Sequence, residues 1–371
     1  MIGKKIDLRK IKPLPLARRK SLSTVEETLV PLGAEPAAIS GELRAQVDDC
    51  AERVREARAR GAAVMLIFGA HLIKNGAALI LNSLMANGWL THLATNGAGT
   101  IHDWEFAWLG RSTECVRSNV ETGTFGTWEE TGRYIHLALL AGGVEGLGYG
   151  EALGRFIAGD GVDLPEADEL AALIAAEPAH ELAAARAELL HAMRNGSVPE
   201  GRCSLEHRWT QASVLASAHS HGVPLTVHPG IGYDIISNHP MFNGAALGRA
   251  AQVDFQKFAA TLDQLDAGVV LSVGSAIMGP QVFEKALSCV NHIRLQEGRE
   301  IVRDHSMYVV DLQDGGKWDW TQGEPPVTNP AYYLRFCKTY ARMGGSMHYL
   351  QCDNLAFVQH LARALSNTTP T

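Results

Sequence analysis

Residues 62–110 read AAVMLIFGAHLIKNGAALILNSLMANGWLTHLATNGAGTIHDWEFAWLG, and this stretch decides the fold. AAVMLIFGA is a short apolar run rich in β-formers that ends in glycine, the pattern of a buried parallel strand at 64–68. HLIKNGAALILNSLMANG then has helical spacing and a glycine stop. THLATNGAGT repeats the theme with a strand at 91–94, a glycine-containing loop and the helix IHDWEFAWLG. Strand–loop–helix units in series predict a parallel sheet covered by helices on both faces.

The same pattern extends along the chain. GELRAQVDDCAERVREARAR (41–60) reads as an amphipathic helix ahead of the first strand. Further on, CSLEHRWTQASVLASAHSHG reads as helix and VPLTVHPG as strand into loop. DFQKFAATLDQL reads as helix and AGVVLSVGSAIMGP as strand into a Gly/Ser loop. VNHIRLQEGR and SMYVVDLQDGG look strand-like, MHYLQCDN is strand into loop, and LAFVQHLARAL is a closing helix. Residues 151–200 are rich in Ala, Glu and Leu and read as a helical insertion with a break at Pro178. No solenoid-period repeat and no strong linker appear, so 1–371 reads as one α/β domain, with 1–40 an arm that packs on the body or on a neighbouring subunit.

Composition narrows the function classes. Thirty-three Lys and Arg stand against 40 Asp and Glu, a formal charge of −7, which argues against a broad nucleic-acid surface. No apolar stretch reaches the roughly 18 residues of a membrane span, and the basic N-terminus lacks the pattern of a secretory leader. The six cysteines form no CxxC pair and read as free thiols, so the expectation is a cytoplasmic protein.

Parallel sheets bind ligands beyond the carboxyl ends of their strands. Five loops take that position here: GAHLIKNG, TNGAGTIHD, VHPGIGYD, VGSAIMGP and LQCDN. They bring His71 and Lys74, His102 and Asp103, His228 and Asp234 to one rim, where they could grip an anion, move a proton or polarise a carbonyl. Each also has a structural reading, as a helix cap or a solvated side chain. TNGAGT offers backbone N–H groups to a dinucleotide phosphate, but a full GxGxxG is absent. The histidines match no zinc spacing and Ser275 has no nucleophile elbow, so neither a metal site nor a serine hydrolase is expected. Trp318, Asp319 and Trp320 in DGGKWDWTQGEPP suggest a lid, an interface or a wall in contact with substrate.

Taken in order, these loops resemble deoxyhypusine synthase and its bacterial relatives, from about residue 60 to the end. Gly69-Ala70-His71-Leu72-Ile73-Lys74-Asn75-Gly76 stands where the family has Thr-Ser-Asn-Leu-Ile-Ser-Ser-Gly. Thr95-Asn96-Gly97-Ala98-Gly99-Thr100-Ile101-His102-Asp103 answers the family's Thr-Thr-Ala-Gly-Gly-Val-Glu-Glu-Asp, and Gly230-Ile231-Gly232-Tyr233-Asp234 its Gly-Ser-Leu-Gly-Asp. Gly274-Ser275-Ala276 falls on its triple-glycine loop, and Leu350 to Phe357 looks like its closing motif.

The resemblance implies a Rossmann-like NAD-binding fold and a homotetramer. It implies cofactor contacts at Asn96, Gly97, Ala98, Gly99, Asp103, Gly274, Ser275 and Asp353. It also implies an imine-forming lysine, for which Phe336-Cys337-Lys338 is the nearest match to the family's Trp-Gly-Lys. Lys338 and His102 are then the catalytic candidates, with His71, Lys74, His228 and Asp234 on the substrate. Departures are informative. Pro280 stands at the family's pocket histidine, and Ile101-His102 replaces Glu-Glu. Exchanging acids for His71, Lys74 and His102 disfavours a polyamine and suits a hydroxylated, carbonyl or anionic small molecule. A genuine aminobutyl transferase and a non-catalytic nucleotide-binding scaffold are the alternatives.

Overall fold

The computed structural model describes residues 3–366. Its centre is a six-stranded sheet of β1 (Val64–Phe68), β2 (His92–Thr95), β3 (Leu225–Val227), β4 (Val269–Val273), β5 (Ser306–Asp311) and β6 (Ser346–Gln351). The spatial order is β3-β2-β1-β4-β5-β6 and every pairing is parallel. That is the order of doubly wound dinucleotide-binding sheets, and the direction of winding reverses between β1 and β4.

The alternation within β1 shows why both faces must be covered. Val64, Leu66 and Phe68 join one apolar core, and Met65 and Ile67 join the other. On the first face lie α1 (Gly41–Ala59), α2 (Ala70–Lys74), α3 (Ala78–Ala86), α4 (Gly97–Leu109), α5 (Val214–Ser220) and the closing α9 (Asn354–Ser366). On the second lie α6 (Gly244–Leu262), α7 (Met278–Gln296) and α8 (Arg335–Ala341), contributing Phe258, Phe283 and Tyr340. A strand buried on both faces cannot show a clean apolar–polar alternation, which is why β1 reads as a continuous apolar run.

Several local expectations change. HLIKNGAALILNSLMANG is two helices, α2 and α3, because Gly76 takes a left-handed turn between them (φ +87°). VNHIRLQ is the end of α7, not a strand. The 151–200 insertion is more than a helical pair. Helices Tyr149–Ala158, Ala167–Ala176 and Ala183–Arg194 accompany an antiparallel pair, Gly161–Leu164 with Gly201–Ser204. CSLEHRWTQASVLASAHSHG therefore holds a strand and a short helix rather than one helix.

The arm packs on the body. Leu14 bridges Trp128, Leu16 is fully buried, and Ser23–Thr24 pairs antiparallel with Arg111–Ser112 just after α4. No helix among the described residues is long and apolar enough to cross a membrane.

Candidate functional site

The loops leaving β1, β2 and β3 meet at one rim around a cavity of about 260 Å³. Its lining includes Lys74 from α2, Ala98 and His102 from α4, Tyr233 and Asp234 after β3, and Arg19 from the arm. Its volume lies just below the roughly 300–1,000 Å³ usual for drug-sized ligands, so it suits a small molecule. Four sequence-selected residues, Lys74, Ala98, His102 and Asp234, are thus brought together.

Behind His102 stands a buried polar chain. Arg19 grips Glu105 with two hydrogen bonds of 2.8 Å, both side chains fully enclosed. Glu105 also accepts from Thr131 (2.8 Å) and from the Ser112 hydroxyl (2.5 Å). Ser112 Oγ lies 2.7 Å from His102 Nδ1. A serine hydroxyl has one proton, and here it goes to the carboxylate, so Nδ1 of His102 must be the donor to Oγ. Burial pushes His102 down to about 4, with Glu105 opposing and Lys74, Arg19 and His71 lowering it further. The imidazole is therefore neutral at pH 7, with Nε2 as its unprotonated nitrogen.

Lys74 makes no hydrogen bond or ion pair among the described residues, so its ammonium is available to a ligand. His71 lies one turn before it and is exposed. Asp234 is buried, accepts from the Gly230 N–H at 2.7 Å, and is raised to about 6 by burial. Its carboxylate lies against Gly97, where an added Cβ would stand 2.4 Å from the acid oxygen.

Other selected residues have structural duties. Asp103 is buried and accepts from Ser213 Oγ (2.5 Å) and the Val214 N–H (2.6 Å), capping α5, so it faces no cofactor. Asn96 caps α4 by accepting from the Gly99 N–H at 2.9 Å. Asp353 caps α9 through the Ala356 N–H, also at 2.9 Å. Ser275 Oγ accepts from the Gly279 N–H at 3.1 Å. His228 packs edge-on against Phe258 at 5.3 Å and reaches Thr226 at 3.2 Å, an interior histidine outside the cavity. Lys338 is also outside it. Its ammonium sits 3.4 Å over the Tyr332 ring and 3.6 Å from Glu324, already engaged. Trp318 donates to the Gly323 carbonyl at 2.9 Å and Trp320 is buried, so that loop is held by packing.

At the switch point the loops after β1 and β4 touch. Gly69 donates to the Val273 carbonyl at 3.2 Å, and Gly274 adopts φ +61° against the Asn354 amide. Asn354 Oδ1 is buried with no hydrogen-bond partner. An orphan acceptor beside backbone that only glycine can supply fits a hydroxyl or carboxamide donor such as a dinucleotide carries. The Gly97–Gly99 turn fits less well, because Asp234 and Asn96 already occupy it.

Arg19, Glu105 and Ser112 were not among the residues selected from the sequence. His102 and Glu105 stand three apart on one helix face, a spacing the sequence does display. Arg19 and Ser112 reach them only through the fold. No cluster of His, Cys, Asp and Glu that could hold a metal occurs among the described residues. Larger hollows of about 550 Å³ at the amino ends of β1–β3, about 680 Å³ beside β6 and about 550 Å³ between α3 and α5 lie away from the converging loops.

No family model matches the chain, and no curated protein matches it. Among solved structures it is similar to ArgZ, an arginine dihydrolase from the ornithine–ammonia cycle in cyanobacteria. The identity is 15% over 90% of this chain and 34% of that one, with a TM-score of 0.41. AgrE, solved as a ternary complex with ornithine and NAD+, gives 13% identity over 90% of this chain and 35% of its own, with a TM-score of 0.43. A conserved putative LOR/SDH protein from Methanococcus maripaludis S2 gives 14%, 91%, 74% and 0.44. The chain spans about a third of the length of ArgZ and AgrE. No ligand or reaction passes from them to this chain.

Proposed function

We propose that this chain is a nicotinamide-dinucleotide-dependent enzyme of the deoxyhypusine synthase-like type, acting on a small anionic, hydroxylated or carbonyl compound. The observation that carries this is the meeting of Lys74 and His102 in one cavity at the carboxyl rim of a β3-β2-β1-β4-β5-β6 sheet. Gly69, Gly274 and Asn354 would hold the dinucleotide. When bound, a nicotinamide supplies a hydride acceptor.

Lys74 pairs with the anionic group of the substrate, and His102 Nε2 takes the proton from its hydroxyl or amine. An anion on Lys74 cancels a charge that lowers His102, which raises the basicity of Nε2 when substrate is present. Aminobutyl transfer through Lys338 is less well supported, since Glu324 and Tyr332 hold that ammonium outside the cavity.

Thermal melting with NAD tests the cofactor. At 100 times Kd the fold gains about 2.7 kcal/mol; no shift at millimolar NAD rejects the proposal. Sedimentation would separately measure the tetramer that the family resemblance implies.

A further inference from the structure

The chain Arg19–Glu105–Ser112–His102 joins the arm, α4 and the Arg111–Ser112 strand into one buried line ending at the cavity. Each link constrains the next. Arg19 has only donors and is spent on Glu105. Glu105 has only acceptor oxygens, so it takes the Ser112 proton. Ser112 is then left with lone pairs, and His102 must turn an N–H toward it. His102 Nε2 makes no hydrogen bond to the protein, and the ring lines the cavity beside Lys74.

We propose that Ser112 is a positioning residue that locks His102 in its Nδ1–H tautomer and so presents an Nε2 lone pair to the ligand cavity. Glu105, clamped by Arg19, supplies the fixed negative end of the relay. When Nε2 accepts a proton the ring becomes an imidazolium. Its Nδ1–H stays on Ser112, and the Glu105 carboxylate stabilises the new charge at one remove. The N-terminal arm thus builds the site, since Arg19 orients the acid that orients the serine. This inference rests on the reading of His102 as the proton acceptor.

The tautomer can be measured without substrate or dinucleotide, which separates its failure from failure of the functional reading. The imidazole 15N shifts of His102 in the full chain at pH 7 report which nitrogen carries the proton, with His102→Gln assigning the signals. The Nδ1–H form should dominate. In Ser112→Ala the ratio should invert toward Nε2–H, the form favoured by free histidine. Thr131→Ala serves as the control, because it removes a hydrogen bond to the same Glu105 carboxylate without touching His102. It should leave the tautomer unchanged. A dominant Nε2–H form in the parent chain overturns the proposal. So does a tautomer unmoved by Ser112→Ala, or an equal response in Ser112→Ala and Thr131→Ala.

Discussion

His102 and Asp103 are neighbours in sequence with opposite fates. Successive residues on a helix point about 100° apart, so His102 faces the cavity while Asp103 turns into the core to cap α5. Asp103→Ala strips acceptors from Ser213 Oγ and the Val214 N–H and should cost about 1–3 kcal/mol, read by urea unfolding. Ligand binding should change little beyond that loss. Gly97→Ala drives a methyl into the Asp234 carboxylate and should cost about 1–3 kcal/mol in the same measurement. For His102, depression by burial places its titration near 4, so it stays neutral from about pH 5 upward. An NMR titration centred at 6.5 would contradict the buried environment described for it.

At the scale of elements, the arm completes the site. Its sequence reads as a segment that packs on the body or on a neighbouring subunit, and residues 14–24 lie on the body at the back of the site. Arg19 does this by pairing with Glu105 in an enclosed setting where neither group reaches water. Replacing the pair with apolar groups could be neutral, but breaking it strands a charge. Arg19→Ala should therefore destabilise the fold by about 3–5 kcal/mol, measured by denaturant unfolding. A loss under 1 kcal/mol would mean that Glu105 finds another partner. Removal of residues 1–24 should likewise loosen Ser112, seen as faster amide exchange across 111–113.

Over the whole molecule, buried histidines set the acid limit. His92 is held near 3, and His102, His136, His228 and His305 near 4, all chiefly by burial. A depressed group stabilises above its unfolded value of about 6.5, and that stability is lost as pH falls toward the folded value. Asp103 and Asp254, raised to about 7 by burial, and Asp234, raised to about 6, act the other way. Their stability is full below about 4 and is lost as pH rises through 6 to 7. Five histidines against three acids leave a net loss on acidification between pH 6.5 and 4, to be followed by unfolding midpoints across that range. A midpoint that rises steadily as pH falls to 4 would contradict the burial of the histidines.

The fold was largely legible because local patterns carry it. Short apolar runs ending in glycine, as at Val64–Phe68 and Val269–Val273, mark strand and loop without any distant partner. VNHIRLQ misled because its alternating apolar residues look strand-like, whereas it closes a 19-residue helix with Val290 and Arg294 four apart on the buried face and Ile293 and Leu295 exposed. At the rim, the sequence could place Lys74 and His102 on adjacent loops. It could not say that Asp103 and His228 face inward, since a loop residue and a buried cap look alike until packing is known. Ser112 and Arg19 gain their roles through hydrogen bonds spanning 10 and 86 positions of chain. The order of strands and the neighbours of each side chain were decided only when the two apolar faces closed around the sheet, because burial energy depends on what meets in space and not on what adjoins in sequence.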